Sequence, residues 1–226
     1  MKYLIKKIFI NKILSKLLLK YILILDKYLY FIIGQYASLY YDGKHPKHDI
    51  IKYEDWFISN LRRDWNVVDV GSNSGYMAHK ISKSVKNVTG IEINQKLYNN
   101  SIQLESENLK FVNADATTFN YANLEKIHCI TLSNVLEHIE QRVVFLKSLL
   151  DQVNWKQEPL FLIRVPMIDR HWVVFLKKNL GVDYRLDETH FIEYTKETFY
   201  DEIKQANLKV VQFDVRWGEI YAVVSG

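Results

Sequence analysis

The sequence predicts an α/β domain: a Rossmann-like, doubly wound, mostly parallel seven-stranded sheet with an antiparallel C-terminal hairpin, preceded by an amphipathic helical arm. Three observations carry that prediction. From residue 50 onward, short β-branched runs alternate with segments of helical period. The first such run breaks into "GSNSG" at Gly71–Gly75, and the last two apolar runs are separated only by "RWG".

Bulk properties fit one domain with an appendage. A chain of 226 residues that is 48% hydrophobic and 14% aromatic can bury one substantial core. Cys129 is the only cysteine, so no internal disulfide can form and a reducing, cytoplasmic compartment is expected. Its setting in "IHCITL" suits a small core residue. The formal charge of +4 is unevenly spread. Residues 1–27 hold seven lysines (Lys2, Lys6, Lys7, Lys12, Lys16, Lys20 and Lys27) against Asp26 alone, a balance of +6. The rest of the chain has 23 basic and 25 acidic side chains, a balance of −2, so the basic character belongs to the N-terminus.

Residues 1–44 are expected as the basic arm and 45–226 as the domain. At about 100° per residue, Lys2, Lys6, Lys12, Lys16, Lys20 and Lys27 fall on one narrow helical face, with Ile, Leu, Phe and Tyr on the rest. Lysine interrupts each apolar segment before it reaches the ~18–20 residues of a bilayer-spanning helix. The lysines also continue through what would be the apolar part of a secretory signal, and no small-residue cleavage site follows. Two readings of the arm stand side by side. Residues 1–33 lie on an anionic membrane surface, leaving the protein peripheral to the inner face of a membrane, or they dock on the body or on a second subunit in an oligomer. Gly34 and "YYDGKHP" are expected as the hinge behind the arm.

The elements then follow in order. "DIIKYEDWFISNL" has helical spacing, "NVVDVG" is a strand, and "YMAHKISKSV" is a helix with Met77, Ile81 and Val85 on one stripe. Next come the strand "NVTGIEI", the helix "QKLYNNSIQLES", and the strands "LKFVNAD" and "IHCITLS". A helix with Val143, Leu146, Leu150 and Val153 on one face precedes the strand "LFLIRVP". Repeated strand-helix units demand a parallel sheet with helices on both faces. After the helix "KETFYDEIKQA", the runs "LKVVQFDV" and "EIYAVV" are joined too tightly for anything but an antiparallel hairpin at the sheet edge.

An open parallel sheet binds its ligand beyond the carboxyl ends of its strands, where "GSNSG" falls. Gly71 and Gly75 permit a tight turn and close ligand approach, and Asn73 is the non-glycine type best suited to left-handed backbone. Asp69, just before the turn, can hold the loop or receive a cationic group through an intermediary. An acid there works against a pyrophosphate. Neither G-x-G-x-x-G nor a G-K-[ST] ending is present, which also disfavours a dinucleotide-dependent dehydrogenase. Glu92 in "GIEIN" can accept from both hydroxyls of a ribose, since two carboxylate oxygens match a vicinal diol. Asp115 in "NADA" suits an exocyclic adenine amine. The three acids describe a nucleoside with a cationic or zwitterionic tail and no phosphates.

In "VVDVGSNSG", "GIEIN", "VNADA", "LSNVLEHI", "LFLIRVP" and the closing hairpin, the chain resembles the class I S-adenosylmethionine-dependent methyltransferases. That resemblance, over residues 50–224, implies that Asp69, Gly71, Asn73 and Gly75 surround the methionine part of S-adenosylmethionine. It implies that Glu92, with Ile93, takes the ribose and Asp115, with Ala116, the adenine, and that Ser133 and Asn134 line the transfer site. Asn73 stands where glycine is usual. Val135-Leu136-Glu137-His138 is similar to the subgroup carrying V-L-E-H after the fourth strand, which includes methyltransferases acting on hydroxyls of quinone precursors and sugars. His45-Pro46-Lys47-His48 and Trp217-Gly218-Glu219-Ile220-Tyr221-Ala222 resemble stretches of methyltransferases associated with bacterial cell-surface polysaccharides. Together these likenesses imply an O-methyltransferase of polysaccharide biosynthesis whose acceptor is a saccharide or lipid-linked glycan.

"YRLDETHFIEYTKETF" is similar to a region of the small-RNA terminal 2′-hydroxyl methyltransferases, whose metal site pairs Glu-His with a later histidine. That resemblance implies Glu137, His138 and His190 as ligands of a divalent metal such as Mg2+, with Asn134 where the family has a further glutamate. Without metal, His138 or His190 would act as general base, with Glu137 completing the catalytic set and Asp187 and Glu193 flanking His190. Residues 166–194 are too long for a simple crossover and are expected as an acceptor lid, in which Trp172, Phe175 and Tyr184 stack on a sugar ring or pack on the body. RNA is the competing acceptor, opposed by the −2 balance of the body. A module that binds the cofactor without transferring a methyl group is the remaining alternative.

Overall fold

Every residue of the run Asn66–Val70 is buried, which makes it a central strand rather than an edge. The computed structural model describes residues 12–42 and 46–226, without the side chains of Lys47 and His48. The expectations for Lys2, Lys6, Lys7, Gly43 and His45, and for the side chains of Lys47 and His48, lie outside the described residues.

The strands are β1 (Asn66–Val70), β2 (Asn87–Glu92), β3 (Leu109–Asn113), β4 (Cys129–Ser133), β5 (Leu160–Pro166), β6 (Lys209–Arg216) and β7 (Glu219–Ser225). The helices are α1 (Lys12–Tyr40), α2 (Lys47–Ile51), α3 (Tyr53–Ser59), α4 (Tyr76–Ser82), α5 (Gln95–Ser101), α6 (Arg142–Gln152), α7 (Trp172–Asn179) and α8 (Lys196–Gln205). One sheet runs in the order β3-β2-β1-β4-β5-β7-β6. β1 to β5 are parallel, and β7 pairs antiparallel with both β5 and β6. The order reverses between β1 and β4, so the switch point lies beyond their carboxyl ends. The expected architecture is the observed one.

Period-2 alternation separates two cores. Val68, Ile130 and Ile163 pack on one face with Leu146 and Ile203, and Val67, Cys129 and Leu162 pack on the other with Phe57 and Ile81. Cys129 is thus a core residue. The β6–β7 hairpin turns through Trp217 and Gly218, both at positive φ (54° and 75°), as a two-residue turn matching the twist of its strands requires. The buried stripe of α6 is rotated from its expected position. Phe145, Leu146 and Leu149 are buried, while Val143 and Leu150 are only partly so. "DIIKYEDWFISNL" is not one helix: Lys52 takes φ 46° and separates α2 from α3.

The chain divides into two units. Tyr53–Arg170 with Leu186–Gly226 contain the whole sheet. The described residues up to Lys52, with His171–Arg185, form the other. The expected lid over 166–194 is therefore not one piece. Its middle, including α7, belongs with α1, and its ends belong to the sheet unit, where Ile168 N–H donates to the Tyr194 carbonyl at 2.9 Å and Tyr194 N–H to that of Pro166 at 3.1 Å. In the α1 unit, Lys27 pairs with Asp183 and Lys177 with Asp26, each at 2.9 Å. Gly34 is no hinge, because α1 continues through it to Tyr40. A glycine inside a helix costs only about 1 kcal/mol relative to alanine, too little to break a helix otherwise built from good formers. No helix among the described residues is long and apolar enough to cross a membrane.

Candidate functional site

The turn after β1 is built by residues that tolerate left-handed backbone. Gly71, Asn73 and Gly75 have φ of 67°, 52° and 83°. Gly71 is also pressed from outside: a Cβ there would lie 2.6 Å from Val135 Cγ2. Gly71 and Ser72 donate their amides to the Ile91 carbonyl at 2.8 and 3.0 Å, so the turn hangs from the end of β2. Glu92 completes the attachment. Its two oxygens accept from the amides of Asn73 and Asn94, each at 2.8 Å, and Asn94 in turn caps α5. A carboxylate oxygen has lone pairs to spare after one such bond, so Glu92 keeps capacity for a ligand diol.

Asp69 lies beneath the turn. It sits in β1 opposite Gly90 and Thr131, wholly buried, and accepts the Thr131 hydroxyl at 2.7 Å. Its other oxygen has no hydrogen-bond partner. Burial, with the Glu92 charge adding to it, pushes its carboxyl up to about 7 despite the Thr131 bond.

A cavity of about 960 Å³ opens above the carboxyl ends of the strands. Gly71, Asn73, Glu92 and Ile93 line one side of it, and Asp115, Ala116, Asn134 and His138 line more of the wall. Asp69, Gly75, Ser133, Glu137 and His190 are not on the wall. The volume is in the range of small-molecule and cofactor sites. Asp115 is exposed and accepts from the amide and hydroxyl of Thr117 at 2.8 and 2.7 Å. Leu97, Thr117, Gln141 and Phe191 also face the cavity. Sequence reasoning missed them because they carry no distinctive chemistry.

At the cavity's far side, the turn after β4 meets the chain segment that precedes α8. Phe191 N–H donates to the Glu137 carbonyl at 2.7 Å, and this brings His190 to His138. The two rings stand edge to face with centroids 4.5 Å apart. Hydrogen bonding decides their tautomers. Thr189 gives its one hydroxyl proton to Asp187 at 2.7 Å, so His138 Nδ1, 2.8 Å from that hydroxyl, must be the donor between them. His190 Nδ1 lies 2.9 Å from the Glu193 carboxylate and donates to it. His138, when neutral, therefore carries its lone pair on Nε2. Burial, and then the neighbouring His190, lower the His138 pKa, which keeps it neutral.

Glu137 lies under this pair, fully buried, with neither carboxylate oxygen hydrogen bonded. Burial pushes its carboxyl up to about 8, with Arg164 opposing. Donor atoms of Glu137, His138 and His190 lie within 4.8 Å of one another. Orphaned carboxylate oxygens beside two imidazoles whose Nδ1 protons are held by outer acceptors form a donor set that fits a divalent cation.

Arg164 was also missed by sequence reasoning. It is a buried cation in the apolar strand β5, 4.0 Å over the Tyr53 ring and 3.3 Å from Glu219. Asn134, at φ 55°, accepts from Arg164 and donates to Glu219, each at 3.4 Å. Its side chain is engaged there. The signal was an arginine in the middle of "LFLIRVP".

Fold and site together define an α/β domain with a cavity of cofactor size beyond the carboxyl ends of its parallel strands. Residues 44–213 match the family model described as methyltransferase domain, and the chain belongs to that family. No curated protein matches it. Among solved structures, an S-adenosylmethionine-dependent methyltransferase from Mesorhizobium loti is 10% identical over 76% of this chain and 95% of its own, with a TM-score of 0.59. One from Aquifex aeolicus is 14% identical over 78% and 87%, with a TM-score of 0.55. The magnesium protoporphyrin IX methyltransferase from Synechocystis, solved with bound S-adenosylhomocysteine, is 14% identical over 79% and 82%, with a TM-score of 0.57. The fold is thus that of S-adenosylmethionine-dependent methyltransferases.

Proposed function

We propose that this chain transfers the methyl group of S-adenosylmethionine to a hydroxyl oxygen on a saccharide or lipid-linked glycan. The observation that supports an oxygen acceptor is the His138–His190 pair beside the cavity, where His138 commits its Nδ1 proton to Thr189 and keeps Nε2 as an acceptor. An alcohol must lose its proton as it attacks, and an imidazole lone pair is the ordinary acceptor near neutral pH. The cofactor supplies a methyl group already activated on a sulfonium. What remains for the chain is alignment and exclusion of water. In this reading Glu92 takes the ribose hydroxyls, Asp115 faces the adenine, and the Gly71–Gly75 turn with Asp69 beneath it supports the methionine end. Ser133 and Asn134, where β4 ends, lie toward the transferred group.

In place of that base role, Glu137, His138 and His190 would hold a divalent ion such as Mg2+ where one is bound, and the ion would lower the pKa of a hydroxyl bound to it. The same donors favour a second reading, an RNA ribose 2′-hydroxyl as acceptor. The charge balance of −2 outside the arm weighs against a polyanion. The saccharide is favoured by the likeness of "VLEH" and "WGEIYA" to sugar-modifying methyltransferases.

The test is turnover of S-adenosylmethionine to S-adenosylhomocysteine by the full-length chain, with a glycan extract and with short RNA, followed by mass spectrometry of the acceptor. Methylated glycan is the expected product. Methylated RNA with strong salt dependence would reverse the order, and cofactor binding without turnover on either would remove the transfer reading.

A further inference from the structure

The described part of α1 carries its charge on one side. Lys12, Lys16, Lys20 and Lys27 share, at helical spacing, the face on which Leu23 is buried. Within its own unit that face is engaged, through the Lys27–Asp183 and Asp26–Lys177 pairs. The opposite arc runs through Leu17, Tyr21, Leu25, Tyr28, Ile32 and Leu39, bears no charge, and leaves all six between 47% and 72% exposed. A helix of 29 residues is about 43 Å long, so this apolar strip far exceeds the scattered exposed leucines of an ordinary surface. A second, separate element of the same unit shows the same character. α7 exposes Trp172 (69%) and Phe175 (42%) just ahead of Lys177 and Lys178.

We propose that α1 docks flat on an anionic lipid bilayer, with the Leu17–Leu39 arc in the headgroup boundary. Charge complementarity selects this occupant. Residues 1–27 have a balance of +6, which an anionic leaflet attracts at about 1 kcal/mol per lysine near the surface. A second copy on the same arc would leave that charge without a partner, because the lysines of each arm lie off the contact. Tyr21 and Tyr28 on the arc fit as well, since their rings are apolar and their tips polar, as the membrane boundary requires. The docking is independent of which acceptor is methylated.

Flotation of the full-length chain with phosphatidylcholine vesicles, with and without phosphatidylglycerol, tests it. The chain is expected to float with the anionic vesicles and to lose most of that binding with neutral lipid or at high salt. Tyr28→Asp combined with Ile32→Asp should reduce flotation on the order of tenfold or more. Cooperative thermal unfolding should be unchanged in that variant. Three results would each overturn the proposal: no flotation of the unaltered chain with anionic vesicles, flotation of the aspartate pair equal to it, or an arm-dependent dimer that stays lipid-free.

Discussion

His138 and His190 meet edge to face, their centroids 4.5 Å apart, and each has its Nδ1 proton committed to a partner before any substrate arrives. Thr189 and Asp187 hold one ring, and Glu193, itself paired with Arg170, holds the other. The arrangement presents the His138 Nε2 lone pair without a conformational search. Replacing either histidine by alanine is therefore expected to lower kcat by roughly 10²–10⁴, the usual worth of a positioned base. Because neither ring is among the groups assigned to the nucleoside, S-adenosylmethionine affinity should stay within a few-fold. Steady-state turnover read beside calorimetric titration separates the two. Equal loss of both would mean that the pair shapes the cofactor pocket instead.

Glu92 does two tasks, and its isostere separates them. It ties Asn73 and Asn94 together through both oxygens and faces the cavity. In Glu92→Gln one oxygen becomes an amide nitrogen, which turns a donor toward a backbone donor and offers a ribose one acceptor fewer. Losing a charged hydrogen bond of this kind costs about 1.5–3 kcal/mol, so the cofactor Kd should rise on the order of tenfold to a hundredfold. Calorimetry at neutral pH checks it. A Kd within twofold of the unaltered chain would remove Glu92 from the diol site.

Much of this was legible because local rules and tertiary structure agree. The turn at Gly71, Asn73 and Gly75 is visible since positive φ restricts the residue type, and β6–β7 since a connection as short as "RWG" has one outcome. Glu137 and Arg164 were harder to read. A charge inside or beside an apolar run gives no sign of whether it reaches solvent, and both are buried. The division of 166–194 was not legible at all. It is accompanied by Lys27–Asp183 and Lys177–Asp26, pairs between stretches far apart in the chain that no local pattern announces.

The Glu137 carboxylate can be tested without any turnover assay. Its oxygens are buried and unbonded, and donor atoms of His138 and His190 complete a cluster within 4.8 Å. A cation bound there would stabilise only the folded chain, by about 2.7 kcal/mol at a hundredfold excess over its Kd. Adding Mg2+ or Mn2+ is expected to raise the Tm of the unaltered chain, and Glu137→Gln should abolish the rise. No shift with either ion in the unaltered chain would leave the cluster as an acid–base group alone.

Asp69 predicts a stability that changes with pH in a definite direction. Burial, and then Glu92, raise its carboxyl from an ordinary 3.8 to about 7, so across that interval the folded chain keeps a proton that the unfolded chain has lost. The folded state binds more protons there, so stability falls as pH rises from the lower value to the upper, and the contribution is flat beyond it. Asp69→Asn removes the titration while preserving shape and an acceptor for the Thr131 hydroxyl. Urea unfolding at stepped pH should show the unaltered chain losing stability relative to the variant, by on the order of a few kcal/mol across the window. The variant gains nothing at the acidic end, where Asp69 is neutral in both states, and its advantage is complete only above about 7. Parallel stability curves would mean that water or a cation reaches the unpaired oxygen and has already paired the charge.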